Sequence, residues 1–252
     1  MIFTAPYSLA SCGKFAAHIH PDHLADLRKS GLNDETIKAA GVYSIRPSDI
    51  GLFFSARRGI PTEIKTGLCF PYQGGEFARL KLFPPIGKMK YAQPANTSAR
   101  LYLPFDIGNG DLVIAEGEKK TLAAHQAGLN AVGIGGLWNW LSHGEPIDDL
   151  KLISWDGRTC TITPDSDAFE RSDLMRAVYA LGCELKDRGA VVYVAQIPAE
   201  RSGKIGLDDY LVSGGNVDSL EIFRLSHRRF KSLEFWRRDW KIKRVMRTSA
   251  AA

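Results

Sequence analysis

Three carboxylates stand at two points where a β-prone run breaks into a turn. Leu112-Val113-Ile114-Ala115-Glu116-Gly117 is an apolar run ending in Glu-Gly, and Cys160-Thr161-Ile162-Thr163-Pro164-Asp165-Ser166-Asp167 is a second short run ending in Asp-x-Asp. Side chains alternate along a strand, so Asp165 and Asp167 point the same way, roughly 6–7 Å apart at about 3.3 Å per residue. Two acids on one face suit a hard cation. If the two strands lie side by side in a parallel sheet, Glu116 joins the pair at the carboxyl edge, where open α/β sheets put their ligands. Three acids converging there repel one another unless Mg²⁺ or Mn²⁺ sits between them. Their chemistry is that of a metal-dependent phosphoryl-transfer site.

The elements that must position these acids alternate between strand and helix. A strand at 112–116 leads to a helix at about 118–127 stopped by Gly128, then a strand at 131–134. After a longer connection come a strand at 160–164, a helix from about Glu170 to Arg188, a strand from Ala190 to Ile197 and a short helix at Asp208 to Val212. In the long helix Leu174, Ala177, Val178, Leu181 and Leu185 form one apolar stripe, closed by Gly189. Such alternation with right-handed crossovers makes a parallel sheet covered on both faces, so the fold class is α/β. Gly133-Ile134-Gly135-Gly136 lacks the Lys-Ser/Thr of a phosphate-binding loop and reads as a tight turn. Trp138 and Trp140 suit either a lid on the core or a base-stacking surface.

The flanks differ in character from this centre. Residues 1–20 have no period and read as an extended arm. Asp22 can cap a helix running to Lys29, and Asn33-Asp34-Glu35-Thr36 starts a second that ends at Gly41. From Gly67 to Tyr102 short β-prone pieces follow, with a hairpin at Gly74-Gly75. In its second strand Phe77, Arg79, Lys81 and Phe83 share one face, and Ala78, Leu80 and Leu82 the other. Arg79, Lys81, Lys88, Lys90 and Tyr91 interleave cations with rings, as a single-stranded nucleic-acid track does, although edge strands also carry Lys for solubility alone. Beyond Arg224 a basic stretch that includes Arg228 and Arg229 is interleaved with Phe230, Phe235, Trp236 and Trp240, and Phe235 or Trp236 with Trp240 can share a helical face that packs on the body.

Charge follows the same three divisions. Residues 1–105 carry 13 Lys/Arg against 7 Asp/Glu (+6), residues 106–215 carry 10 against 17 (−7), and residues 216–252 carry 10 against 4 (+6), which recovers the net +5. An acidic centre between basic flanks suits a metal site fed by a polyanion. Cys12, Cys69, Cys160 and Cys183 include no Cys-x-x-Cys, which argues against zinc and for reduced, mostly buried thiols. No apolar run reaches the roughly 18 residues of a membrane span, so a cytoplasmic protein without a membrane partner is expected.

Glu116-Gly117, Asp165-x-Asp167 and the later Gly206-Leu207-Asp208-Asp209-Tyr210-Leu211 together resemble a Toprim domain, the catalytic module of bacterial primases, of type IA and type II topoisomerases and of some nucleases. The resemblance covers about residues 106–215. Gly31-Leu32-Asn33-Asp34-Glu35-Thr36-Ile37, Phe70-Pro71, Phe83 and Lys90-Tyr91 ahead of Leu101-Tyr102 are similar to the small α+β subdomain that precedes Toprim in bacterial primases. Glu-Gly-Glu-Lys-Lys and Gly-Leu-Asp-Asp-Tyr-Leu also resemble the Toprim-like primase modules of phages, plasmids and other mobile elements. Two departures stand out: Lys120 occupies the position, four residues after the Glu, where those primases carry an Asp, and the motif of their zinc-binding domain is missing.

The resemblance implies a primase-like subdomain over 1–105, a Toprim domain over 106–215 and a basic amphipathic helical segment over 216–252. It implies a DNA primase that joins NTPs or dNTPs on a single-stranded DNA template during replication, with a replicative helicase or polymerase as the further partner class. Asp165 and Asp167 would hold Mg²⁺ or Mn²⁺, Asp208 and Asp209 would help hold a second ion, and Glu116 would be a ligand or the base for the attacking 3′-hydroxyl. Lys119 and Lys120 would meet the triphosphate; Arg79, Lys81, Lys88, Lys90, Tyr91, Arg228 and Arg229 would meet nucleic acid. A Toprim nuclease would use the same acids on water, and a non-catalytic nucleic-acid-binding or regulatory protein could keep the fold. A topoisomerase lacks its strand-cleaving tyrosine domain here, and a haloacid-dehalogenase-type phosphatase with Asp165 as nucleophile leaves Glu116 unexplained.

Overall fold

The computed structural model describes residues 19–54, 63–199, 203–238 and 240 of the 252-residue chain. The arm expected over residues 1–20 lies almost wholly outside them. Two compact units divide the chain: Met1–Ser98 with Tyr102–Asp106, and Ala99–Leu101 with Ile107–Ala252.

The first unit opens with α1 (Pro21–Lys29) and α2 (Asp34–Ala39). His20, not Asp22, caps α1 by accepting from Asp22 N at 3.2 Å. Pro21 shifts the start, because its missing N–H costs nothing at a first helical position and its fixed φ suits one. Asn33 caps α2 by accepting from Thr36 N at 2.8 Å. An antiparallel sheet follows in the order β1 (Tyr43–Ile45), β2 (Thr66–Pro71), β3 (Ala78–Ile86), β4 (Met89–Ala92). Alternation along β3 buries Ala78, Leu80 and Leu82 in a cluster with Ile45, Ile50, Phe53, Ile64 and Cys69, while Arg79 and Lys81 turn to the other face. His23, fully buried, ties α1 to the sheet through Ser44 Oγ at 2.7 Å and Thr66 Oγ1 at 2.9 Å.

The second unit is built on six strands: β5 (Leu101–Tyr102), β6 (Leu112–Glu116), β7 (Ala131–Ile134), β10 (Thr159–Thr163), β11 (Val191–Gln196) and β12 (Glu221–Arg224). Their spatial order is β12-β11-β10-β6-β7-β5; β7, β6, β10 and β11 run parallel, and β12 returns antiparallel to β11. Residues 112–115 are buried without alternation, as expected of a strand covered on both faces. Between β7 and β10 a small hairpin pairs β8 (Leu141–Ser142) with β9 (Glu145–Pro146). The helices are α3 (Glu118–Gln126), α4 (Ser172–Asp187) and α5 (Leu207–Val212). Val113, Ala115, Ala131 and Ala195 of the sheet pack with Ala124 of α3 and Leu207 of α5, and α4 lies against β11 along its Ala177, Val178, Leu181 and Leu185 stripe.

The segment after residue 215, expected as a helical tail, begins instead by completing the sheet with β12. Residues 231–238 are helical, and Trp236 and Trp240 bring their rings to 6.3 and 6.1 Å from that of Trp138. Phe235 does not share that buried face, being 66% exposed. Trp140 is fully buried, so it belongs to the core and offers no stacking surface. Cys69 and Cys160 are buried free thiols and Cys183 is a partly buried one; Cys12 lies outside the described residues. Among the described residues no helix is long and apolar enough to cross a membrane.

Candidate active site

Register does most of the work of assembling the acids. Ala115 of β6 pairs with Thr163 of β10, so the two parallel strands end together, and the next residues on each side carry Glu116 and the Pro164-Asp165 turn. At Gly117 the chain leaves the sheet with φ 104°, a conformation that costs a side-chain-bearing residue dearly, and Gly117 N still donates to Ile134 O at 2.7 Å. Glu116 is thereby held at the strand end while α3 begins at once.

Asp165 is nearly sealed from water, its side chain 3% exposed, and each of its oxygens meets an ammonium. Lys120 Nζ lies 2.6 Å from Oδ1, off the direction a hydrogen bond needs, and Lys204 Nζ lies 2.6 Å from Oδ2. Lys204 also stands 3.6 Å from Asp167 Oδ1, and Arg171 Nη1 stands 3.4 Å from Asp167 Oδ2. Glu116 is within electrostatic reach of Asp165, Asp167, Lys120 and Lys204. Burial pushes its carboxyl above the usual range and Asp165 pushes it further, with Lys120 and Lys204 pulling it back and Asp167 adding to the rise. Burial works against the charge of Lys204, but its bond to Asp165 and the nearby Glu116 and Asp167 outweigh that and raise its pKa.

The fourth acid, Asp208, arrives in the first turn of α5. Ser166 N donates to Ile205 O and Ile205 N donates to Ser166 Oγ, both at 2.9 Å, which lays residues 204–206 alongside the Asp-Ser-Asp turn. A Cβ at Gly206 would meet Lys120 Cε, would lie 2.6 Å from Asp208 Oδ1 and 3.3 Å from Asp165 Oδ1. Three charged groups therefore surround one point, and only a bare α-carbon fits among them. Asp208 is buried there. Asp209, expected beside it as a ligand, faces water and accepts from Gly206 N at 2.9 Å, so it caps α5 and is not gathered with the other acids.

Lysine changes the sequence-based picture of the centre. The acids were expected to converge only around a metal, yet Lys120 and Lys204 supply positive charge between them. Lys120, expected at a triphosphate, is committed to Asp165; Lys119 beside it is half-buried on α3. Lys204 sits on an irregular segment with no motif of its own, so sequence pattern does not single it out. Its only sequence signal is its place two residues ahead of Gly206-Leu207-Asp208. For a divalent cation the donor chemistry fits: the acids are hard oxygen ligands, and Asp165 Oδ1 and Asp167 Oδ1 are buried without a hydrogen-bond donor. As the side chains stand, no three acidic, histidine or cysteine groups among the described residues close into a ligand set.

The expected nucleic-acid residues separate into two kinds. Lys88 and Lys90 are exposed on and beside β4, and Arg79 lies over the Tyr91 ring at 4.9 Å. Lys81 instead makes a paired contact with Asp26, at 2.6 and 2.7 Å, with both side chains 18% exposed. Phe77 is buried against Tyr72 and Phe83 packs on His23, so these two rings serve packing within the first unit. Arg228 and Arg229 are exposed, Arg229 donating to Gln196 Oε1 at 2.7 Å above the Phe223 ring.

A family described only as a domain of unknown function (DUF3854) matches residues 108–217. No curated protein matches the sequence. Among solved structures, the Aquifex aeolicus primase, crystallised as its zinc-binding and RNA polymerase domains, superposes with a TM-score of 0.63 at 12% identity, over 86% of this chain and 60% of that one. The DnaG catalytic core superposes with a TM-score of 0.55 at 15% identity, over 87% of this chain and 80% of that one. The fold is that of a primase catalytic core. The chain spans about three fifths of the length of the Aquifex structure, and at these identities the likeness is one of fold.

Proposed function

We propose that this chain is a primase-like nucleotidyltransferase that joins nucleoside triphosphates on single-stranded DNA with a divalent metal at the Glu116, Asp165, Asp167 and Asp208 cluster. The observation that carries the reading is the meeting of Glu116 with Asp165 at the carboxyl ends of two neighbouring parallel strands, with Asp208 brought to the same point around Gly206. Buried acids so close together are costly to a fold that has no use for them. Asp165, Asp167 and Asp208 would hold Mg²⁺ or Mn²⁺, which when bound would offset phosphate charge at the reacting centre. Glu116, whose carboxyl holds a proton more readily than an ordinary one, is suited to take the proton of the attacking 3′-hydroxyl. Gly117 and the Ser166–Ile205 pair fix the acids in place. Lys88, Lys90 and Arg79 of the first unit are suited to template phosphates and Tyr91 to a base.

One observation favours a second reading. Asp165 already has an ammonium on each oxygen, as a fold that keeps its acids for structure alone would arrange them. That reading is a nucleic-acid-binding protein without turnover. The test is to incubate the full chain with single-stranded DNA, labelled NTPs or dNTPs, and Mg²⁺ or Mn²⁺, beside Asp165→Asn and Glu116→Gln. Short labelled oligomers from the wild type alone support the primase reading. Shortened DNA identifies a nuclease, and DNA binding without product under either metal identifies the non-catalytic protein.

A further inference from the structure

We propose that Lys204 is a displaceable counter-ion of the carboxylate site: it neutralises Asp165 and Asp167 before a divalent cation enters, yields that place to the cation, and then meets the phosphates of the nucleotide. This deepens the reading of the acids as a metal site and rests on it.

A carboxylate as buried as Asp165 must be neutralised, and two lysines do so from opposite sides. They are not equivalent. Lys120 projects from the first turn of α3, its side chain 19% exposed and its Cε hemmed by the Gly206 backbone. Lys204 extends from the irregular run between Gly203 and Gly206, with half of its side chain in water. A path outward is open to it, along a flexible four-carbon stem.

Lys204 also holds the one position that matters for a shared ion. Its ammonium lies 2.6 Å from Asp165 Oδ2 and 3.6 Å from Asp167 Oδ1, bridging the two acids of the Asp-x-Asp turn. A dication ligated by both carboxylates would occupy that space, and two cations at such range repel strongly. Withdrawal of Lys204 moves an ammonium that is already half in water, and the incoming dication takes over the neutralisation of the buried Asp165 carboxylate. Withdrawal of Lys120 would drag a buried stem past Gly206. The exchange therefore takes place at Lys204, and Lys120 remains as the permanent partner of Asp165.

The experiment counts free Mn²⁺ by electron paramagnetic resonance over solutions of the full chain, in wild type, Lys204→Met, Lys204→Arg and Asp165→Asn proteins. Removing the competing cation should tighten Mn²⁺ binding by about tenfold in Lys204→Met, while Lys204→Arg restores wild-type affinity and Asp165→Asn loses binding. A fluorescent nucleoside triphosphate should bind the Mn²⁺-loaded Lys204→Met protein about tenfold more weakly than wild type. Equal Mn²⁺ affinity in wild type and Lys204→Met, with binding still lost in Asp165→Asn, overturns the counter-ion and leaves the metal site standing. Mn²⁺ binding that never depends on Asp165 overturns both. Circular dichroism melts establish that each variant is folded, and Lys204→Gln replaces Lys204→Met in the same assay if the latter is not.

Discussion

Ser166 and Ile205 hold one another through two hydrogen bonds of 2.9 Å, one in each direction, across 39 residues of chain. One bond uses only backbone and survives any substitution of Ser166 except proline. The other depends on the Ser166 hydroxyl, which is buried with its residue. The pair fixes Lys204 and Gly206 beside Asp165, so it links stability of the loop to geometry of the acids. Ser166→Ala should cost about 1–2 kcal/mol in urea unfolding, the price of an amide left without its acceptor. Under the proposed activity it should also lower product formation by roughly tenfold, through misplacement of the acids alone. Unchanged unfolding midpoint and unchanged activity would show that the segment holds itself in place without Ser166.

Gly206 offers a steric test of the same cluster. Its φ of −91° is open to any residue, so backbone strain plays no part in a substitution there. The obstacle is space: Lys120 Cε, Asp208 Oδ1 at 2.6 Å and Asp165 Oδ1 at 3.3 Å surround the added methyl. Gly206→Ala should destabilise the protein by about 1–3 kcal/mol, as overpacking in a tight interior does. It should also weaken Asp165-dependent Mn²⁺ binding. A thermal melt indistinguishable from wild type would mean that Lys120 swings aside freely.

Much of this arrangement can be read before any coordinates are known, and the reasons for the exceptions are local. Glu116 and Asp165 are legible because each follows a β-prone run and parallel pairing brings strand ends into line. Asp208 and Asp209 look alike in sequence; helix phase separates them, since the third helical position lets Asp209 reach back to Gly206 N while the second turns Asp208 inward. Lys204 escapes notice because no periodicity governs the run it lies on. β12 is four residues of an edge strand, with Phe223 as its one buried side chain and Arg224 next to it, too short to stand out from the basic segment that follows. Lys81 reads as a free cation on an exposed face because its partner, Asp26, lies 55 residues away on α1.

That pairing separates structural from nucleic-acid-facing lysines in the first unit. Lys81→Met removes the paired contact to the largely buried Asp26 and should destabilise the protein by about 1–2 kcal/mol, with little change in single-stranded DNA affinity at matched salt. The double substitution Lys88→Glu and Lys90→Glu touches only exposed side chains. It should leave the melting temperature within a degree or two by roughly neutral surface exchange. It should weaken DNA binding several-fold and reduce the salt dependence by about two counterions. Fluorescence anisotropy against salt concentration, run on both variants, distinguishes the roles; equal losses of affinity would place Lys81 among the DNA contacts after all.

His23 makes the stability of the first unit depend on pH. Burial, with the charge of His20, lowers its pKa from 6.5 to about 4; Asp22 and Asp26 pull it upward, and Lys81 adds to the lowering. The native state therefore resists protonating this ring while the unfolded chain accepts a proton below about pH 6.5. Stability attributable to His23 is present in full above that pH and is lost progressively as pH falls from 6.5 towards 4, by about 2–3 kcal/mol across the window. Ser44 Oγ and Thr66 Oγ1 hold the ring by hydrogen bonds at both nitrogens, which fixes its position between α1 and the sheet. Unfolding free energies taken at half-unit steps between pH 4 and 7 should rise with pH in the wild type. His23→Gln, weaker throughout for want of the ring's packing, should show a flatter slope over the same range. Parallel slopes in the two proteins would assign the pH dependence to other groups.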